Sequence, residues 1–306
     1  MQFSLENVRL TIADPSQMIR TGLKGALYAM GFRAITDTSS YIKLHDLIEQ
    51  DAVDLLITGS EMEGNDVGFL IKEMRDQRLG SNPFPVVITL LSRPEPDSVR
   101  RIIDSGCDDL LLTPVSPDQL ILRIEKLCRT RKPFVVTHDY TGPDRRTRQR
   151  AFDSHSAPML DVPNPLRVRG ESGLDGTRLQ RMVIEASATL NRMKVERYAV
   201  QIDWLSNHIH ACVRDGKGHD AQTLLPHTNR LVMVAEDMIR RMKRTPSEVL
   251  NGPVNDLLEI AHRLDNTSSE IRISELDRLN VLAKNLLRSL GTPRPYVAAQ
   301  GAALGR

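Results

Sequence analysis

The chain has 306 residues, with 41 Lys and Arg against 39 Asp and Glu, a formal net charge of +2 and 40% hydrophobic residues. That length allows two cores, and the near balance of charge gives the molecule as a whole no strong pull toward nucleic acid or an anionic membrane. Cys107, Cys128 and Cys212 lack C-x-x-C spacing, which argues against a disulfide framework or a cysteine zinc site, and with no apolar leader or bilayer-length apolar run the expected place is the cytoplasm, with no membrane partner.

From residue 8 to residue 128 short apolar runs alternate with amphipathic stretches, the pattern of parallel strands joined by covering helices. The strands expected are 8–13, 34–37, 53–58, 84–91 and 109–112. Helices are expected between them, over 18–30, 42–49, 69–74, 98–104 and 120–127, the last opened by Ser116 as N-cap and Pro117 in the first turn. Residues 129–176 read as a basic, Pro-rich linker. Between Arg129 and Gly170 it holds nine Arg or Lys against four Asp, a solvated run or a hold for an acidic partner.

Beyond it the text turns helical. Residues 177–213 contain no Gly or Pro, and Tyr198, Ile202, Leu205, Ile209 and Cys212 form one narrow apolar stripe. One continuous helix there would be about 55 Å long at 1.5 Å per residue. A second stretch, 231–242, offers Leu231, Val234, Met238 and Met242. Thr245-Pro246-Ser247-Glu248 reads as a capping box opening a third stretch to residue 264, with Gly252-Pro253 as an interruption. The fourth, 274–290, presents Leu276, Leu279, Leu282, Leu286 and Leu290 before Gly291. Trp204, Tyr198 and the leucine stripes are expected in the core of a bundle. The division is thus 1–128, 129–176, 177–291 and a disordered tail, 292–306. The fold class is α/β, a doubly wound five-stranded parallel sheet, then a linker and an all-α helical bundle.

Three blocks in the first region carry a resemblance: Leu10-Thr11-Ile12-Ala13-Asp14, Asp54-Leu55-Leu56-Ile57-Thr58-Gly59-Ser60-Glu61-Met62 and Gly106-Cys107-Asp108-Asp109-Leu110-Leu111-Leu112-Thr113-Pro114. In order and spacing they resemble the flavodoxin-like (CheY-like) receiver domain of bacterial two-component response regulators. The resemblance implies a phosphoryl-accepting Asp after the third strand, a Mg²⁺ held there by an acidic pair after the first, a hydroxyl after the fourth and a Lys before the Pro of the fifth. On this sequence the acceptor falls on Gly59, the pair on Ala13 and Asp14, the hydroxyl on Leu91 and the Lys on Thr113. Only Asp14 keeps the expected chemistry. Gly59 cannot form an acyl phosphate, Leu91 cannot bind a phosphoryl oxygen, and Thr113 carries no charge. The cofactor expectation is therefore none, with at most a weak Mg²⁺ contact at Asp14. Ser92 stands next to the hydroxyl position. Ser60, Glu61 and Glu63 read as solvent-facing loop residues.

Three further patterns carry chemistry-bearing residues. His262, in Ala261-His262-Arg263-Leu264-Asp265-Asn266-Thr267-Ser268, resembles a histidine phosphotransfer motif, with Asp265 in place of its Lys and Asn266 in place of its Gly. His208 and Cys212 share a helix face while His210 does not, and a zinc site there would need His219 or Asp220 as well, so no metal site is expected. The arginines of Gly142-Pro143-Asp144-Arg145-Arg146-Thr147-Arg148-Gln149-Arg150 read as docking on Asp or Glu. The expectation is a response-regulator-like signalling protein in a two-component phosphorelay, a pseudo-receiver that acts by binding and is not an enzyme. Its partners would be a histidine kinase or another regulator, or a second copy through the helical domain. The alternatives are phosphotransfer at His262 and nucleic-acid binding through Arg145 to Arg150, the latter disfavoured by the lack of a helix-turn-helix.

Overall fold

A computed structural model of the chain describes residues 4–146, 158–171, 176–214, 221–265 and 273–291. They divide into two compact units, Met1–Ala188 and Thr189–Arg306. Among the described residues no helix is long and apolar enough to cross a membrane.

In the first unit β1 (Leu10–Ala13), β2 (Ile35–Thr38), β3 (Leu55–Gly59), β6 (Val86–Leu91) and β7 (Asp109–Leu112) pair in parallel in the order β2-β1-β3-β6-β7. Helices α1 (Gln17–Met30), α2 (Tyr41–Glu49), α3 (Val67–Arg75), α4 (Pro96–Asp104) and α5 (Pro117–Arg129) supply the crossovers. Two apolar clusters form, one centred on Leu10, Ile12, Leu55, Ile57 and Ile88, the other on Ala13, Leu56, Val87, Leu70 and Met74. Alternate residues of β1, β3 and β6 feed the two clusters, as they must where both faces of a sheet are covered. Ser16, Ser40 and Ser116 accept the backbone N–H of the third residue of α1, α2 and α5, and Pro117 opens α5. The expected α/β arrangement is therefore present. Its ladders begin two residues later than apolarity alone suggested at β1, β3 and β6, because Val8, Val53 and Phe84 are buried before hydrogen-bonded pairing starts. A two-strand hairpin, β4 (Glu61–Met62) with β5 (Asn65–Asp66), follows β3.

The expected linker is, over its described residues, folded. β8 (Phe134–Val136) pairs antiparallel with β9 (Thr141–Pro143) and β10 (Met159–Leu160), and α6 (Pro165–Gly170) follows. This extension lies against the amino-terminal rim of the large sheet, on two buried carboxylates. Asp108, just ahead of β7, receives Arg75 at 3.0 Å and Arg131 at 2.8 Å, all three side chains being no more than 2% exposed. Arg131 also donates to the carbonyls of Phe84, Pro85 and Pro163. Burial pulls the Arg75 guanidinium down to about 10 against the opposing charge of Asp108, with Arg131 adding to the fall. Asp54, just ahead of β3, accepts from Arg9 at 2.8 Å, and Arg169 Nε stands 2.6 Å from it. Gly106 and Gly142 complete the contact. A β-carbon on Gly142 would lie 2.7 Å from Gly106 Cα, so the two backbones touch where side chains cannot fit.

The second unit contains most of α7 (Gly176–Arg214), then α8 (Ala221–Met242), a 3₁₀ turn (Pro246–Leu250), α9 (Asn251–Asp265) and α10 (Ile273–Leu290). Tyr198, Ile202, Leu205, Ile209, Leu231, Val234, Met238, Leu257, Leu276 and Leu279 join in one core, so the predicted stripes do face each other. A polar cluster lies among them: the Tyr198 hydroxyl donates to Asp237 at 2.5 Å and Arg241 Nε at 3.0 Å. Although burial opposes it, the charges of Arg241 and Arg240 and the Tyr198 hydroxyl hold the Asp237 carboxyl well below the usual range.

Three expectations here need correction. Trp204 is not core but 57% exposed, because it lies off the stripe that buries its neighbours. Glu248 does not close a capping box on Thr245. Its carboxylate accepts from the Arg244 N–H at 2.9 Å, while the Thr245 hydroxyl donates to Met242 O. The helical break falls at Leu250–Asn251 rather than Gly252-Pro253, since Pro253 sits in the first turn of α9, where its missing N–H costs no helical bond. The tail 292–306 lies outside the described residues.

Candidate functional site

In a parallel sheet flanked by helices, ligand chemistry gathers at the carboxyl ends of the strands, and the resemblance points to the same rim. β1 delivers Asp14 there. Asp14 is buried, its Oδ1 accepts from the Ser16 N–H at 2.8 Å, and its carbonyl accepts from Arg20 Nη1 at 2.6 Å. Burial pushes the Asp14 carboxyl above its ordinary range, against the Ser16 N–H and the Arg20 charge, which lower it. Arg20 itself also reaches Pro15 O and Asp37. Asp14 thus doubles as the turn residue that leads into the Ser16 cap.

β3 brings Gly59 against it. A β-carbon at Gly59 would sit 3.0 Å from Asp14 Oδ2, with Glu61 O and Pro15 Cδ each 3.6 Å away. The position that the resemblance assigns to the acceptor, Gly59, is therefore a neighbour of Asp14. The remaining positions supply no ligand atoms of the expected kind. Ala13 and Leu91 are buried in the apolar cluster on one face of the sheet. Half-buried Thr113 binds Leu91 O through its backbone N–H at 2.9 Å and precedes Pro114 by a cis peptide. Ser92 is exposed. Glu61 is exposed on β4, and Glu63 caps α2 by accepting from the Tyr41 N–H at 3.0 Å.

A Mg²⁺ ion takes a near-octahedral shell of hard oxygens and leans on carboxylates where protein supplies them. Among the described residues that shape this corner the carboxylates reduce to Asp14, beside the Glu61 carbonyl, with one Asp14 oxygen committed to Ser16 and a guanidinium 2.6 Å from its carbonyl. The residues present do not fit the ion.

The topology β2-β1-β3-β6-β7 decides the architecture. Residues 10–129 have the flavodoxin-like receiver fold. Among solved structures, the chain is similar to the chemotaxis protein CheY4 of Vibrio cholerae, at 17% identity and a TM-score of 0.35, over 39% of this chain and 97% of that one. The signal receiver domain of the response regulator NarL of Mycobacterium tuberculosis matches at 20% identity and a TM-score of 0.35, covering 41% of this chain and 99% of that one. The receiver domain of Francisella response regulator 1452 matches at 25% identity and a TM-score of 0.35, over 39% and 94% of the two chains. No protein-family model and no curated protein matches the sequence.

The other candidates scatter. His262 is exposed on α9, Asp265 ends that helix, and Asn266 lies outside the described residues. His210 pairs with Asp277 at 2.9 Å, whereas His208 Nε2 stands 3.7 Å from Cys212 Sγ; His219 and Asp220 lie outside the described residues. Arg145 does not dock on an acid: its Nη2 donates to Cys107 O at 2.7 Å, while Arg146 pairs with Asp144 at 2.9 Å. Arg148 and Arg150 lie outside the described residues. Sequence reasoning missed the most heavily bonded acids of the unit, Asp54 and Asp108. Their one signal was position: Asp54 directly precedes the apolar run of β3, and Asp108, beside Asp109, directly precedes β7.

Proposed function

We propose that the chain is a response-regulator-like signalling protein that works by binding a signalling partner, a histidine kinase or another regulator, without phosphorylation of its first unit and without enzymatic turnover. The observation that carries this reading is Gly59 lying against Asp14, 3.0 Å from a would-be β-carbon to Asp14 Oδ2. Where a carboxylate would take the phosphoryl group there is a hydrogen atom, and the groups that would hold metal and phosphate oxygens are Ala13, Leu91 and Thr113. Fold and chemistry separate readily here, because stability rests on the buried strands and their helices. The expected result is that the full chain, incubated with acetyl phosphate and Mg²⁺, gains no acid-labile phosphate in residues 4–129. Stoichiometric labelling of an acid in that range overturns the reading.

A second reading places phosphotransfer on His262, whose ring is exposed on α9 of a helical core. An accessible imidazole on a bundle helix is the minimum such transfer needs. Label passed from a phosphorylated partner and lost in His262→Gln would support it. Label absent from the intact chain removes it.

A further inference from the structure

Four of the eight histidines lie between residues 208 and 227. Trp204, His208 and Cys212 follow one another at i, i+4 on α7 and so share a face. The indole of Trp204 stacks on the His208 ring, centroids 5.0 Å apart and 6° from parallel. His208 Nε2 lies 3.7 Å from Cys212 Sγ. From α8, the His227 ring stands 4.5 Å from that of His208, at 66°. His208, Cys212 and His227 are all half-buried, at the edge of the core rather than in it.

The His208–Cys212 separation is the informative distance. A tetrahedral ion with bonds of about 2.0 Å to nitrogen and about 2.3 Å to sulfur holds those two atoms about 3.5 Å apart. The observed 3.7 Å is met by a small rotamer adjustment. Among the described residues the group with three ligand atoms within 4.8 Å of one another is His45, Asp46 and Glu49, two of them exposed acids; the ligand atoms of His208, Cys212 and His227 stand farther apart than that as the rings lie. The His227 ring, edge-on to His208 at 4.5 Å, would have to turn to bring a nitrogen to the pair.

We propose that His208 and Cys212, with His227 as third ligand, form a binding site for a borderline divalent transition metal ion such as Zn²⁺ or Co²⁺. Imidazole and thiolate suit such ions, whereas Mg²⁺ and Ca²⁺ require oxygen. On binding, the Cys212 S–H bond breaks, its proton goes to solvent and the sulfur lone pair forms the metal bond. The two imidazoles donate lone pairs in their neutral form, water fills the fourth position and no electron is transferred. The ion would tie α7 to α8. This site is independent of the signalling reading above.

The test uses the full, reduced chain titrated first with Co²⁺ and then with Zn²⁺. One equivalent of Co²⁺ is expected to give a thiolate-to-cobalt charge-transfer band, and one equivalent of Zn²⁺ to remove it. Zn²⁺ should also slow alkylation of Cys212, since Cys107 and Cys128 are buried, and should change the fluorescence of Trp204, the sole tryptophan. Cys212→Ser should abolish the band. His208→Gln and His227→Gln should each weaken Co²⁺ binding at least tenfold, and His210→Gln should leave it unchanged, with circular dichroism confirming that each variant folds. Absence of the band in the wild-type chain, or its survival in Cys212→Ser, overturns the site. Wild-type affinity in folded His227→Gln overturns the three-ligand assignment.

Discussion

The two rims of the large sheet partner their buried acids differently. At the amino-terminal rim Asp54 and Asp108 are buried and each meets two arginines: Arg9 and Arg169 for the one, Arg75 and Arg131 for the other. At the carboxyl rim Asp14 is a buried acid beside Gly59, and the nearby Arg20 bonds to its carbonyl rather than its carboxylate. One rim holds its acids by mutual neutralisation with arginines, and the other keeps one buried acid whose carboxylate has no arginine hydrogen-bonded to it among the described residues. The comparison teaches that, on a sheet whose stability rests on buried strands and helices, the ion pairs and the expected chemistry sit at opposite rims.

The largest effect should come from breaking the Asp108 cluster. Asp108→Asn leaves Arg75 and Arg131 buried, at 1% and 2% exposure, with the opposing charge gone. Removing one partner of a buried ion pair costs about 3–5 kcal/mol. Urea unfolding of the full chain, followed by a probe of the first unit, should show an unfolding free energy lowered by that amount, read as a lower midpoint at unchanged slope; an unchanged midpoint would mean that the Asp108 cluster does not help hold the sheet.

Arg131→Lys comes next. The guanidinium makes bonds to both Asp108 oxygens and to Phe84, Pro85 and Pro163, a fork that three ammonium donors cannot reproduce. With charge retained and some bonds lost, the expected cost is about 2 kcal/mol, together with faster amide exchange in β8 and β9. Arg9→Ala should cost less, about 1 kcal/mol at most, because the Arg9 side chain is 37% exposed and solvent screens its pair with Asp54.

These contrasts also mark how far the sequence could be read. Buried parallel strands announce themselves as continuous apolar runs, and capping serines at fixed offsets announce their helices, so β1, β2, β3, β6, β7 and α1 to α5 were largely legible, whereas the hairpin β4–β5, two residues a strand, read as loop. The neighbourhood of Asp14 and Gly59 was legible too, because both follow directly from the ends of β1 and β3. The extension was not. Its strands are two or three residues long, with Pro133 and Pro158 directly ahead of β8 and β10 and Pro143 inside β9, and it is held by contacts remote in sequence, Arg131 on Asp108 and Gly142 on Gly106, that leave no local period. Trp204 was misread for a different reason, its residue type being given more weight than its place off the stripe of Ile202, Leu205 and Ile209.

The smallest effect belongs to the carboxyl rim and has the opposite sign. Burial raises the Asp14 carboxyl above its ordinary value, so between those two values the folded chain holds a proton that the unfolded chain has lost. Stability therefore falls as pH rises through that window, and above it the cost of a buried charge remains in full. Asp14→Asn removes that cost while its side-chain oxygen can still accept from the Ser16 N–H. The variant should match the wild type at acid pH, below the unfolded carboxylate range, and exceed it modestly at neutral pH, as read from urea midpoints at the two conditions. A variant less stable at neutral pH would mean that Asp14 is balanced by a positive charge, and the contrast between the two rims would fail at the residue that defines it.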